Sequence, residues 1–194
     1  MDDTRQRILT ATNELFRRHG YNATSLSKIS EASGATIGSI YHFFSGGKEE
    51  LAAAVIAETG DVYRELFEVL TAADPDVAVA FSGFFDAAAI TLSESDYIDP
   101  CPIGTVAREV ASTNDRLRQA TDLVFRSWVN AARARLESGG LPPDLAGDHA
   151  ASIVMMIEGG FVLSRAGRSP EPMHAAGRTV AALLRDALRS VDVR

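Results

Sequence analysis

Apolar residues recur three and four positions apart along nearly the whole chain, and nowhere alternate with polar residues through a β-branched run. That period suits helices and leaves no segment for a sheet, so an all-α fold of about nine helices is expected. Ile8, Ala11, Leu15 and Phe16 mark one face of a first helix, Thr4 to His19, which Gly20 ends. Two short helices follow, Leu26 to Ser33 and Ile37 to Phe43, separated by Gly34-Ala35-Thr36. The rest are longer: Lys48 to Leu70, then a helix capped by Asp74-Pro75 and running to Leu92. Asp99-Pro100-Cys101-Pro102 breaks the pattern before a short helix to Ala111. Asn114 to Glu137, Asp144 to Ala166 and Glu171 to Val191 complete the set.

With 194 residues, 46% of them hydrophobic, the chain can bury a sizeable core, which excludes general disorder. The single cysteine, Cys101, cannot form an internal disulfide, and no Cys/His spacing suits a structural zinc. The N-terminus is polar and acidic rather than leader-like. Val77 to Phe85 is too short to span a bilayer, and Ala150 to Leu163 carries Glu158, so no membrane partner is expected and the compartment is read as cytoplasmic. The four histidines are scattered, and no hydrolase, zinc-protease, P-loop or dinucleotide motif occurs. No catalytic residue, metal or cofactor is therefore assigned.

The most informative segment is Leu26 to Phe44. Two helices crossing steeply need a small residue at the crossing, a turn residue tolerant of positive φ, and apolar residues at fixed offsets. Ser30, Gly34, and Ile29, Ala35, Ile40 and Phe43 meet these needs in one frame, the pattern of a helix-turn-helix. Thr24 or Ser25 caps the first helix, and the free face of the second presents Thr36, Ile37, Gly38, Ser39 and His42. Hydroxyls there can bond base edges or phosphates, Ile37 can pack on a thymine methyl, and Gly38 permits close approach to the sugar-phosphate wall. The net charge of −7, which as a bulk figure argues against nucleic acid, is unevenly spread. Thr4 to Lys48 holds six basic residues against two acidic ones, a local +4, whereas the chain beyond Lys48 carries −9.

The run from Thr24 to Phe44, followed by Lys48-Glu49-Glu50-Leu51 and preceded by Leu15-Phe16 and His19-Gly20-Tyr21, strongly resembles the N-terminal domain of TetR-family transcriptional regulators. Ser45-Gly46-Gly47-Lys48 and Cys101-Pro102-Ile103-Gly104-Thr105-Val106-Ala107 are similar to the LmrA/YxaF-like branch. The resemblance implies a DNA-binding head over residues 1–47 and a helical ligand-binding and dimerisation body over 48–194. It further implies phosphate contacts from Tyr41, His42 and Lys48, and backbone contacts from Thr24 and Ser25. Where Lys is frequent in the family, this chain has Ile37.

For the body, Phe81, Phe85, Phe125, Trp128 and Met155 are candidates to line an apolar effector site, although aromatic stripes at helical spacing also build ordinary cores. Cys101 is either a thiol at a helix start or a small packed residue. Glu158 can reach solvent, pair across a dimer or meet a cationic ligand. Gly159 and Gly160 permit close helix approach and, with Val180, Leu184 and Leu188 on the last helix, suggest an isologous four-helix homodimer interface. The expected partners are thus a double-stranded DNA operator, a second copy of the chain and a small-molecule effector. An effector-free body, purely structural or protein-binding, is the alternative.

Overall fold

The computed structural model describes residues 3–98 and 101–192; the first two and last two residues and Asp99-Pro100 of the central break lie outside them. Among the described residues there are nine helices and no strand. They are α1 (Asp3–His19), α2 (Leu26–Ser33), α3 (Ile37–Phe43), α4 (Gly47–Ala72), α5 (Val77–Glu94), α6 (Pro102–Val110), α7 (Asp115–Ser138), α8 (Pro143–Gly167) and α9 (Glu171–Asp192). α2 and α3 match their sequence limits because local chemistry punctuates both ends. Gly34 closes α2 at φ 65°, and Thr36 opens α3 by accepting from the Ser39 N–H at 3.0 Å. The cap of α5 differs from expectation. Asp76 accepts from the Ala78 and Val79 N–H groups, while Asp74 accepts from the Asp76 N–H at 2.8 Å and so holds the cap rather than forming it.

Two compact units divide the chain, one formed by Met1–Asp61 with Asp99–Val124, the other by Val62–Ile98 with Phe125–Arg194. The first unit therefore extends beyond residue 47: it takes the start of α4, all of α6 and the start of α7. α1 packs on α2, α3 and α6. Ile8, Phe16, Ile29, Ile40, Leu51, Ile56, Ile103 and Leu117 are fully buried in this unit. Gly60 and Val124 approach so closely that a Cβ on Gly60 would lie 2.5 Å from a Val124 methyl, closer than real Cβ atoms come.

In the second unit α9 lies along α5 and α8, over a core that includes Phe67, Val77, Phe81, Phe85, Leu136, Ile153, Met173, Val180 and Leu184. α9 can approach α5 because residue 177 is glycine; a Cβ there would sit 2.8 Å from Phe85 Cβ. By length and composition α5 and α8 could each cross a membrane, contrary to the sequence expectation, which weighed shorter stretches. Their apolar faces instead form this core.

Candidate nucleic-acid interface

The site is built from α2, α3 and the loop into α4. Ser25, not Thr24, is the N-cap of α2, accepting from the Lys28 N–H at 3.3 Å. Thr24 is fully buried and donates its hydroxyl to the Gly20 carbonyl at 2.7 Å, so it braces the α1–α2 turn and has no surface to offer a ligand. The α2–α3 turn is equally fastened: Ser30 donates to the Ala35 carbonyl at 2.6 Å, and Ser33 accepts from the Ala35 N–H at 3.2 Å. With Ile29 and Ile40 buried beneath it, α3 has one possible outward face.

That face carries Thr36, Ile37, Gly38, Tyr41 and His42, all exposed, with Ser39 half-buried at its edge. The Thr36 and Ser39 hydroxyls lie 2.9 Å apart, one donating its proton to the other. Whichever donates to the other, one O–H and further lone pairs stay available to an incoming acceptor or donor. Ile37 is 45% exposed, an isolated branched apolar group on a polar face. Tyr41 is 48% exposed and rests its ring edge over Gly47, where a Cβ would lie 3.2 Å from Cε1 at φ +66°. Glycine at 47 thus allows both the left-handed turn and the seating of this phenol. His42 stands edge-on to Phe43, with ring centroids 5.0 Å apart. Phe44 is buried, with the Arg5 guanidinium 5.7 Å from its ring centre.

Lys48 opens α4 with its ammonium 4.0 Å from the centre of the Tyr21 ring, which itself packs edge-on against Phe16. Burial here pulls the Lys48 pKa below the ordinary lysine value, and the nearby Glu109 carboxylate partly offsets this. Burial also raises the Tyr21 pKa, with Glu49 adding to the effect. Glu109, from α6, accepts from the Asn22 N–H at 2.8 Å, and the space it fills is open because residue 20 is glycine at φ +78°. Glu50 ties the loop from the other side, accepting from the Gly46 N–H at 2.6 Å and the Ser45 hydroxyl at 3.3 Å. Sequence reasoning did not single out Glu109, Glu50 or Tyr21 as supports; Glu109 in particular reaches across 87 positions of chain.

The residues proposed for the body do not gather at one place. Phe81 and Phe85 are fully buried in a packed ring cluster with Phe67 and Phe84, at centroid distances of 5.1–6.0 Å. Phe125 and Trp128 touch edge-on, and Tyr63 meets Trp128. Met155 is 65% exposed and so cannot line an interior cavity, and Glu158 is half-buried. Cys101 belongs to the other unit, where it is buried and caps α6 by accepting from the Gly104 N–H at 3.4 Å. Of the five interface candidates, Val180 and Leu184 face the protomer core, and Leu188 packs against its edge. Gly160 faces Met173 of α9, whose sulfur would lie 2.9 Å from a Cβ, so its closeness serves packing within one chain. Gly159 is exposed and points away. The face that does open outward is Met155, Val162 and Leu163 on α8, with Leu183 on α9. A period of 3.6 identifies such stripes but does not distinguish the two sides of a helix that is apolar on both.

Residues 8–55 match the family described as bacterial regulatory proteins of the tetR family, and residues 77–179 match the C-terminal domain of LmrA/YxaF-like transcriptional regulators. The chain is 33% identical to the uncharacterized HTH-type transcriptional regulator YxaF of Bacillus subtilis, over 94% of its own length and 96% of that protein. Identity to the HTH-type transcriptional regulator LmrA of the same organism is 30%, over 88% and 91%. A crystal structure of a TetR transcriptional regulator from Legionella pneumophila superimposes with a TM-score of 0.80 at 24% identity, covering 91% of this chain and 95% of that one. Helix-turn-helix, body and full-length relatives agree: the chain belongs to the TetR family of transcriptional regulators, with an LmrA/YxaF-like C-terminal domain, and is not an enzyme.

Proposed function

We propose that the protein is a cytoplasmic repressor that binds a pseudo-palindromic operator as a homodimer and leaves it when a small, largely apolar effector occupies the body. Residues 1–47 act as the reading head and 48–194 as the sensing and dimerising part. The observation that carries this reading is the outward face of α3. Thr36, Ser39 and Ile37 offer hydroxyl and methyl contacts suited to base edges, flanked by Tyr41, His42 and Lys48 suited to phosphates. The +4 balance of Thr4 to Lys48 supplies the sequence-independent attraction, and the −9 beyond Lys48 disfavours indiscriminate coating. Homodimerisation is supported by the open stripe of Met155, Val162, Leu163 and Leu183. A two-fold dimer would set two heads about 34–36 Å apart or a multiple of it. The filled core around Phe81 and Phe85 favours the second reading, a body without an effector.

The test begins with selection of bound duplexes from a randomised pool. Ile37→Ala and Ser39→Ala should shift the selected sequence, whereas Lys48→Ala should weaken all duplexes alike and flatten the salt dependence. If the wild-type protein enriches no duplex, or Ile37→Ala enriches the same one with the same affinity, the assignment of base reading to α3 is wrong. A screen of apolar compounds for thermal stabilisation coupled to duplex release separates a sensing body from a structural one.

A further inference from the structure

Arg116, in the first turn of α7, lies 70 positions beyond the α3–α4 loop in sequence but against it in space. Its Nη1 lies 3.7 Å from where a Cβ on Gly46 would stand, beside a loop whose next residue seats Tyr41 and whose end carries Lys48. The side chain is exposed and, among the described residues, makes no ion pair. The nearest acid of the loop, Glu50, is already taken by the Gly46 N–H and the Ser45 hydroxyl. Two positions on, Arg118 is neutralised by Asp115 at 2.7 Å, so of these two α7 cations only Arg116 is left for an external anion.

The geometry points to Arg116 as a further DNA-backbone contact, a guanidinium brought from outside the helix-turn-helix to the phosphate that Tyr41 and Lys48 flank. This rests on the reading that the α3 face binds duplex DNA. An arginine fits the task because its planar fork meets a phosphate with two hydrogen bonds, and its fixed charge remains when Lys48 begins to lose its proton. Glycine at 46 also leaves room for the guanidinium beside the loop, with no side chain to push it aside.

The experiment is a salt titration of the affinity for the duplex selected by the wild-type protein. Arg116→Ala should make the slope of log K against log salt shallower by about 0.9, so that raising salt fourfold weakens it about 3.5-fold less than wild type. Arg116→Lys should keep the wild-type slope, and Arg118→Ala should leave it unchanged because that charge is already paired. A wild-type slope in Arg116→Ala overturns the contact even if its affinity falls, since loss of loop support alone releases no counterion. Failure of the wild-type protein to enrich any duplex overturns the DNA reading, and this contact with it.

Discussion

Replacing Gly20 by alanine does two separable things. The residue sits at φ +78°, where an L side chain is disfavoured by about 1–2 kcal/mol. A Cβ there would also overlap the Glu109 carboxylate, which must swing away and release the Asn22 N–H. Hydrogen bonds to charged groups contribute about 1.5–3 kcal/mol, and for this exposed one we take about 1 kcal/mol. Gly20→Ala should therefore cost about 2–3 kcal/mol and Glu109→Ala about 1 kcal/mol. In the double variant the hydrogen bond is lost only once, so its total should be about 2–3 kcal/mol, short of additivity by about 1 kcal/mol. Urea unfolding followed by far-UV circular dichroism gives the cycle. Exchange of the Asn22 amide hydrogen gives the local readout, which should accelerate in all three variants. Additive free energies, or an Asn22 amide equally protected with and without Glu109, would refute the claim that this carboxylate and this glycine are fitted to each other.

Further outcomes concern pH and assembly. Because burial lowers the Lys48 pKa and a bound phosphate would raise it again, duplex affinity should fall as pH climbs through the lowered value towards 10.5, and Lys48→Arg should abolish that fall. The same shift acts oppositely on folding: in that window the unfolded chain binds more protons, so the Lys48 contribution to stability rises with pH, while the raised Tyr21 pKa lowers stability above 10.0. In sedimentation, Leu163→Glu should dissociate the proposed dimer. A two-fold interface would lose two buried leucines at about 1.5–3 kcal/mol each, more than 100-fold in Kd. Gly160→Leu should instead destabilise the protomer through Met173.

The parts of this molecule legible in its sequence are those whose physics is local. Gly34 and Thr36 set the limits of α2 and α3 within a few residues of themselves, and the positions on the outward face of α3 follow from which of its residues are apolar. Local signals also misled where two neighbours could do one job: Thr24 and Ser25 are both capping residues, and only the buried hydroxyl bond of Thr24 to Gly20 decides between them. The spacing of Val180 and Leu184 defines a stripe without naming what covers it, which suits a partner chain equally well; α5 and α8 of the same chain cover it. Glu109 and Arg116 carry no motif at all, since their meaning lies in distant glycines that make room for them.

The first compact unit is assembled from two stretches of chain, with Asp99–Val124 folded in beside Met1–Asp61. Exchange of reading heads between relatives is therefore a matter of paired crossovers. A single exchange after residue 47 would leave a foreign α6 facing Gly20 and a foreign α7 against Gly46, whereas exchanging both stretches keeps Glu109 and Arg116 with the glycines that accommodate them. On the proposed reading, a new sequence preference is more easily acquired by substitutions on the outer face of α3 than by shuffling whole heads.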